Sequence, residues 1–181
     1  MHWRGELLHI HVAPLASAPM QPLFEARLIS NVGIEGDRYA ARLGTYSKKH
    51  HIDRQMTLIE VETLEALARD RNIVFTPGEH RRNGTTRGVP LNHLVGNYFR
   101  IGDCVLYGGR LNVPCQYLEN LVGKKVFKPL LNRSGLNCRI ITGGTIHVGD
   151  SIEWCDPNTL ERAIRLANEA TPIEPPPEAP I

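Results

Sequence analysis

The chain has 181 residues, 41% of them hydrophobic, with a formal charge of +2. That length supports one domain with a real core, and the near-balanced charge excludes whole-molecule attraction to nucleic acid, leaving anion binding to local clusters. No run is long or apolar enough for a secretory signal or a bilayer span, and four cysteines without Cys-x-x-Cys spacing point to neither a structural zinc nor a disulfide scaffold, so the expected setting is reducing and cytoplasmic.

Residues 6–12 alternate as a strand with Leu8, Ile10 and Val12 on one face, which puts His9 and His11 together on the solvated face. A proline-containing connector follows, then a second strand over Leu23–Ser30. Asn31–Arg38 is a glycine-marked turn that brings Asp37 and Arg38 to an end of the sheet. Residues 40–54, with Arg42, Lys48, Lys49 and Arg54, read as a basic, solvated loop. Thr57 and Glu60 have capping-box spacing, and Val61, Leu64 and Leu67 form a stripe, predicting a helix over 58–70. Asn72–Thr76 is β-branched and reads as a short strand stopped by Pro77-Gly78.

Glu79–Gly88 has no apolar residue and carries Arg81, Arg82, Asn83, Thr85, Thr86 and Arg87. Guanidinium forks, hydroxyls and glycine N–H groups are the contents of an anion-binding loop. A helical turn is expected from Pro90, then a Gly102-Asp103 hairpin over 98–107, with the same Gly-Asp pattern repeated over 145–154.

Residues 110–114 lead as a strand to Pro114-Cys115. Tyr117, Leu118, Leu121 and Val122 then recur at helical spacing, and Gly123 ends the helix. A thiol in the first turn of a helix lies near free backbone N–H groups and the positive dipole end, both of which favour thiolate. A short helix over 126–131 and a strand over 136–142 follow. Leu160, Ala163, Ile164 and Ala167 predict a last helix, and the tail, with five prolines in residues 171–181, is expected to be disordered. Short strands separated by turns favour a mainly β, barrel-like domain with peripheral helices.

Taken in order, Gly33–Tyr39, Arg54–Ile59, Pro77–Asn83 with Thr86–Leu91, Tyr98–Asp103, Pro114-Cys115 and Arg133–Arg139 with Gly143–Asp150 resemble the MOSC domain, the C-terminal domain type of molybdenum-cofactor sulfurases, which also occurs as small stand-alone bacterial proteins. The resemblance covers residues 6–154. It implies a MOSC β-barrel, taken as 1–155; the helix over 156–170 and the tail over 171–181 lie outside the resemblance. It further implies that Cys115 is the functional thiol, carrying sulfur as a persulfide or ligating molybdenum of a bound molybdenum cofactor (molybdopterin). Arg82, Asn83, Thr86, Arg87 and Arg54 are the implied contacts to that cofactor. The chain shows no pyridoxal-phosphate domain, so a cysteine desulfurase-type donor would supply sulfur, and a molybdoenzyme or its cofactor would receive it. The two other expectations are reduction of N-hydroxylated compounds at a molybdenum held by Cys115, and a binding module without chemistry.

Overall fold

The computed structural model describes residues 3–49, 51–156, 158, 160–162 and 165. In chain order these form β1 (Arg4–Val12), β2 (Gln21–Leu23), β3 (Glu25–Ile29), β4 (Gly33–Ile34), β5 (Met56–Glu60), α1 (Val61–Arg71), β6 (Gly84–Arg87), a 3-10 turn (Leu91–Leu94), β7 (Tyr98–Ile101), β8 (Cys104–Leu111), α2 (Gln116–Val122), β9 (Leu136–Thr142), β10 (Gly144–His147) and β11 (Ser151–Trp154). The order β11-β7-β8-β9-β5-β6-β1 is closed by pairing of β11 with β1, giving a seven-stranded barrel with β2 appended to β1. Pairing is antiparallel except between β5 and β6, which α1 connects as a crossover. A separate sheet, β10-β3-β4, packs beside it. The mainly β barrel with peripheral helices is therefore the observed class.

The main core draws Leu7, Leu58, Phe99, Leu106, Ile140 and Ile152 from six barrel strands. The seventh, β6, contributes Gly84, where a side chain would strike Leu58. A second cluster outside the wall joins Ile59 to Leu67, Leu118, Val126 and Leu130. β5 is thus covered on both faces: Met56 and Leu58 point into the barrel and Ile59 into the outer cluster. A strand buried on both sides loses its polar alternation, which is why Thr57–Glu60 reads as a helix start. The helix begins only at Val61, and its N-cap Glu60 makes no side-chain capping bond. The Thr57 hydroxyl donates to Asn83 Oδ1 (2.8 Å), and Glu60 accepts from the Leu91 N–H (2.9 Å).

Five other expectations are corrected. A bulge between Leu7 and His9 shifts β1, so Leu7 rather than Leu8 is buried and His11 turns inward while His9 stays exposed. Leu23–Ser30 breaks at Phe24 into β2 and β3, which belong to different sheets. Asn72–Thr76 forms no strand: Asn72 closes α1 at φ 53°, and Ile73 and Phe75 pack against the outer cluster. The second Gly-Asp segment is not a hairpin, because β10 pairs with β3 while β11 pairs with β1 and β7. Val126–Leu131 is a turn rather than a helix. The helix over 156–170 and the tail lie mostly outside the described residues. No described helix is long and apolar enough to cross a membrane.

Gly135 shows how tightly the wall is built. Its φ is +95°, and a Cβ there would sit 1.9 Å from the Leu58 carbonyl oxygen. Gly135→Ala combines left-handed strain with a backbone clash, so we expect a loss of roughly 2 kcal/mol or more in urea unfolding. An unchanged unfolding midpoint would contradict this packing.

Candidate functional site

β8 delivers the chain through Asn112, Val113 and buried Pro114 to Cys115, the N-cap of α2, in extended geometry (φ −143°, ψ 156°). The Cys115 carbonyl accepts from the Leu118 N–H (3.0 Å) and the Glu119 N–H (3.3 Å), and Gly123 ends the helix at φ 66°. The expected corner and helix are therefore present. The expected electrostatic device differs: the Cys115 side chain makes no capping bond to α2, which is only seven residues long. Its polar environment comes from side chains instead.

Tyr46 is the first of these. Its side-chain hydrogen bond with Cys115, followed by burial, pushes the phenol up to about 12. The hydroxyl is therefore neutral at physiological pH and available to donate to sulfur. Arg54 fixes the Tyr46 segment: its Nη1 donates to the carbonyls of Tyr46 (2.9 Å) and Lys49 (3.1 Å), and its guanidinium lies 5.5 Å from the Tyr46 ring centroid. The basic loop expected to be a solvated surface is thus a wall of the site.

Arg82 is the second. It is buried, and it donates from Nε to the Ser134 carbonyl (2.9 Å), from Nη2 to Ser134 Oγ (2.7 Å) and from Nη1 to the His80 carbonyl (3.1 Å). Burial pulls its pKa down to about 10, a shift opposed by the nearby Cys115, and it remains a cation at neutral pH. Among the described residues only neutral oxygens bind this charge.

Cys115, Tyr46, Arg54 and Arg82 line one cleft of about 280 Å³. Arg38, Arg81 and Arg110 complete a set of five guanidiniums, and no carboxylate is among its described lining residues. Arg38 pairs with Asp37 behind the wall (3.1 Å), and Arg81 donates to the Ala18 carbonyl. The glycine-marked turn thus delivers Arg38 to the cleft, while Asp37 is buried and accepts from the Tyr39 N–H (3.0 Å) and Asn83 Nδ2 (3.1 Å).

Of the residues singled out in the sequence, Cys115, Arg82 and Arg54 meet at the cleft. Asn83 lies directly behind it, buried and bonded to Thr57 and Asp37. Thr86 is fully buried, and its hydroxyl donates to the Ile59 carbonyl (3.4 Å). Arg87 is on the outer surface, paired with Glu65 (2.8 Å). Glu79 bonds Lys124 and the Thr76 N–H (2.9 Å). The polar stretch 79–88 is therefore a barrel strand and its approach rather than an open loop, with His80, Arg82 and Asn83 each bound by buried partners. Sequence reading missed Tyr46, Arg110, Asn112 and Asn137 as cleft residues, and gave Arg81 only as one of the arginines of the polar stretch 79–88. Only the position of Arg110 and Asn112 just before Cys115 offered a local signal.

The remaining thiols are buried. Burial raises Cys104 to about 12 and pushes Cys138 and Cys155 upward as well. No group of three or more His, Cys, Asp or Glu that could hold a metal occurs among the described residues.

Burial, then the charges of Arg82 and His11, hold His80 down at about 3. An unfolded histidine titrates near 6.5, so the unfolded chain binds this proton first. Stability is therefore full above about pH 6.5 and falls as pH drops towards 3, by up to about 1.4 kcal/mol per pH unit. Chemical unfolding between pH 7 and pH 4 should show that slope, and His80→Gln should flatten it. An equal slope in both proteins would assign the acid sensitivity elsewhere.

The MOSC domain family matches residues 27–153 of this chain. The YuaD protein from Bacillus subtilis superposes with a TM-score of 0.70 at 17% identity, over 84% of this chain and 97% of its own. YiiM from Escherichia coli gives 0.63 at 17% identity, over 96% and 80% respectively, and YiiM from Geobacillus stearothermophilus gives 0.65 at 15%, over 91% and 82%. At these identities the likeness is one of fold. No curated protein matches the chain.

Proposed function

Because the chain belongs to the MOSC domain family, whose members point to molybdenum-cofactor-related sulfur handling or binding, we propose that its cleft binds a phosphate-bearing pterin cofactor and that Cys115 handles sulfur there as a persulfide. The observation that carries this reading is that Cys115, the one cysteine of four that is not buried, opens on a cleft with five guanidiniums and no described carboxylate.

The residues present fit such a group. Among the described residues, Arg82 is a buried cation held by neutral oxygens alone and Arg110 Nε has no partner. An anion entering the cleft gains charge-assisted hydrogen bonds that are stronger away from bulk water. Arg38, Arg81 and Arg82 would hold anionic oxygens. Tyr39, Tyr46 and Tyr117 offer ring faces and edges around them. When bound, the cofactor supplies a dithiolene-held metal or its sulfur acceptor.

The chain's own step is a thiol–persulfide exchange. The Cys115 thiolate attacks the outer sulfur of a donor persulfide. A Cys115 Sγ–S bond forms, the donor's S–S bond breaks, and the donor leaves as a thiolate, so no external oxidant or reductant is consumed. Tyr46 donates a hydrogen bond to the sulfur, and Arg82 stabilises its negative charge through space. A cysteine desulfurase-type protein fits the donor role, and a molybdoenzyme or its cofactor the acceptor role.

A second reading rests on the softness of the same atom. With no cluster of three protein ligands beside it among the described residues, Cys115 would be the single protein sulfur on a metal otherwise held by a dithiolene, in a reductase of N-hydroxylated compounds. One preparation from a molybdenum-replete host separates the readings. A carrier shows a gain of one sulfur atom on Cys115 in intact mass, reversed by reductant and absent in Cys115→Ser. A reductase shows near-stoichiometric molybdenum that Cys115→Ser removes. Neither signal in the wild-type protein would leave a binding module and sink both.

A further inference from the structure

We propose that Arg110 and Asn137 form an oxyanion subsite in the cleft wall that takes a phosphate-type group, separate from the contacts around Cys115. The proposal deepens the cofactor-binding reading, on which it rests for the identity of the whole ligand but not for the subsite itself.

The subsite follows from strand register. Thr57 on β5 opposes Asn137 on β9, and Asn137 in turn opposes Arg110 on β8. Directly opposed residues of neighbouring strands share a face, and all three line the cleft. They therefore form one row across the outside of the barrel wall, while Leu136 and Cys138 on β9 pack into the main core. Register fixes this row more firmly than a loop could.

Two donors in the row lack acceptors among the described residues. Asn137 is 2% exposed, and its Oδ1 accepts from Asn112 Nδ2 (3.2 Å), so its amide is anchored while its own Nδ2 has no partner. Beside it, Arg110 Nε is shielded from water and also unpartnered. Native folds leave few buried donors unsatisfied, and two adjacent ones on a cleft wall are explained by an acceptor that the described residues do not supply. Thr57, the third member of the row, is engaged on both sides: its hydroxyl donates to Asn83 Oδ1 (2.8 Å) and accepts from the Asn83 N–H (3.1 Å). Asp53, whose charge also reaches Arg110, is paired with Arg139 (2.9 Å).

The two N–H groups, one on a cation, match a group with at least two oxygens. Charge favours phosphate over carboxylate. Burial, then the charge of Arg54, lowers the Arg110 pKa, with Asp53 opposing in part, so two guanidiniums repel each other at this corner and a dianion entering it relieves that repulsion. Cofactor phosphate and free inorganic phosphate share this chemistry.

Calorimetric titration of the full chain with inorganic phosphate, then with acetate at equal ionic strength, tests the assignment. We expect phosphate to bind more tightly than acetate, and affinity to fall at least tenfold in both Arg110→Gln and Asn137→Asp. The latter keeps the acceptor for Asn112 and replaces the free N–H₂ by oxygen. Arg110→Lys, which keeps the charge and removes the Nε donor, should lose most of the same affinity. Arg69→Gln, far from the cleft on α1, should bind as wild type, and urea midpoints identify any variant whose loss reflects unfolding. The proposal is overturned if the wild-type chain binds no phosphate, if acetate binds as well, if Arg110→Lys binds as wild type, or if affinity disappears only in Arg82→Gln. Phosphate binding that depends on Arg110 and Asn137 in a protein with neither persulfide nor molybdenum at Cys115 would keep the subsite and reject the sulfur reading. A persulfide on Cys115 with unchanged phosphate affinity in the variants would do the reverse.

Discussion

Asn83 touches three parts of the chain that are distant in sequence. Its Oδ1 accepts from the backbone N–H (3.1 Å) and hydroxyl (2.8 Å) of Thr57, and its Nδ2 donates to the His11 carbonyl (3.2 Å) and to Asp37 Oδ2 (3.1 Å). Its amide N–H donates to Thr57 Oγ1 (3.1 Å). One buried side chain thus ties β5, β1 and the Asp37 turn together, with its donors and acceptor occupied. An unsatisfied buried polar group costs about 1–3 kcal/mol, so none of these partners can be withdrawn cheaply. The cleft depends on this knot, since Arg82 precedes Asn83 and Arg38 is paired with Asp37. The sequence reading cast Asn83 as a ligand contact. Its place behind the wall makes it the residue that aims two arginines.

The arginines explain why such a knot is needed. Guanidiniums facing one cleft repel one another, and a fold that merely tolerated them would let the side chains swing into solvent. Here Arg82 is held by Ser134 and His80, Arg54 by two loop carbonyls, and Arg81 by Ala18. Carbonyl dipoles fix the position of a cation without cancelling its charge. The positive potential is therefore preserved for whatever enters, at some expense of stability, and an anionic ligand returns that stability in proportion to its affinity.

What was legible in the chain follows from how local the cause was. Pro114, Cys115 and the helical spacing after them define the corner within a dozen residues, and it stands where the sequence placed it. The hairpin at Gly102 is equally local, with strands on both sides that pair with each other. The barrel class was read from the order of many weak segments. By contrast, β5 is buried on both faces only because α1 and α2 cover its outside, and the polar residues of 79–88 are buried only because partners from other strands satisfy them. Neither fact has a local signature. The cleft is similar: Tyr46 comes from a loop that looks merely basic and is held by Arg54, and Asn137 comes from the strand after the thiol-bearing helix and reaches Arg110 only through the register of β5, β9 and β8.

This arrangement also changes how the thiol is to be understood. The helix start positions Cys115 but contributes no hydrogen bond to its sulfur; the phenol of Tyr46 and the charge of Arg82 surround it instead. A neutral donor and a fixed cation stabilise an anionic sulfur whether that sulfur ends in a second sulfur or in a metal. The two chemistries weighed for Cys115 therefore make the same demand on the protein, and the difference between them lies in what the cleft holds. The row through Asn137 and Arg110 bears on that point. It offers hard oxygen-seeking donors on the strand wall, while Cys115 offers a soft atom at the helix start. A ligand satisfying both must carry oxyanion and sulfur- or metal-bearing ends on one frame, a narrower class than either pole selects alone.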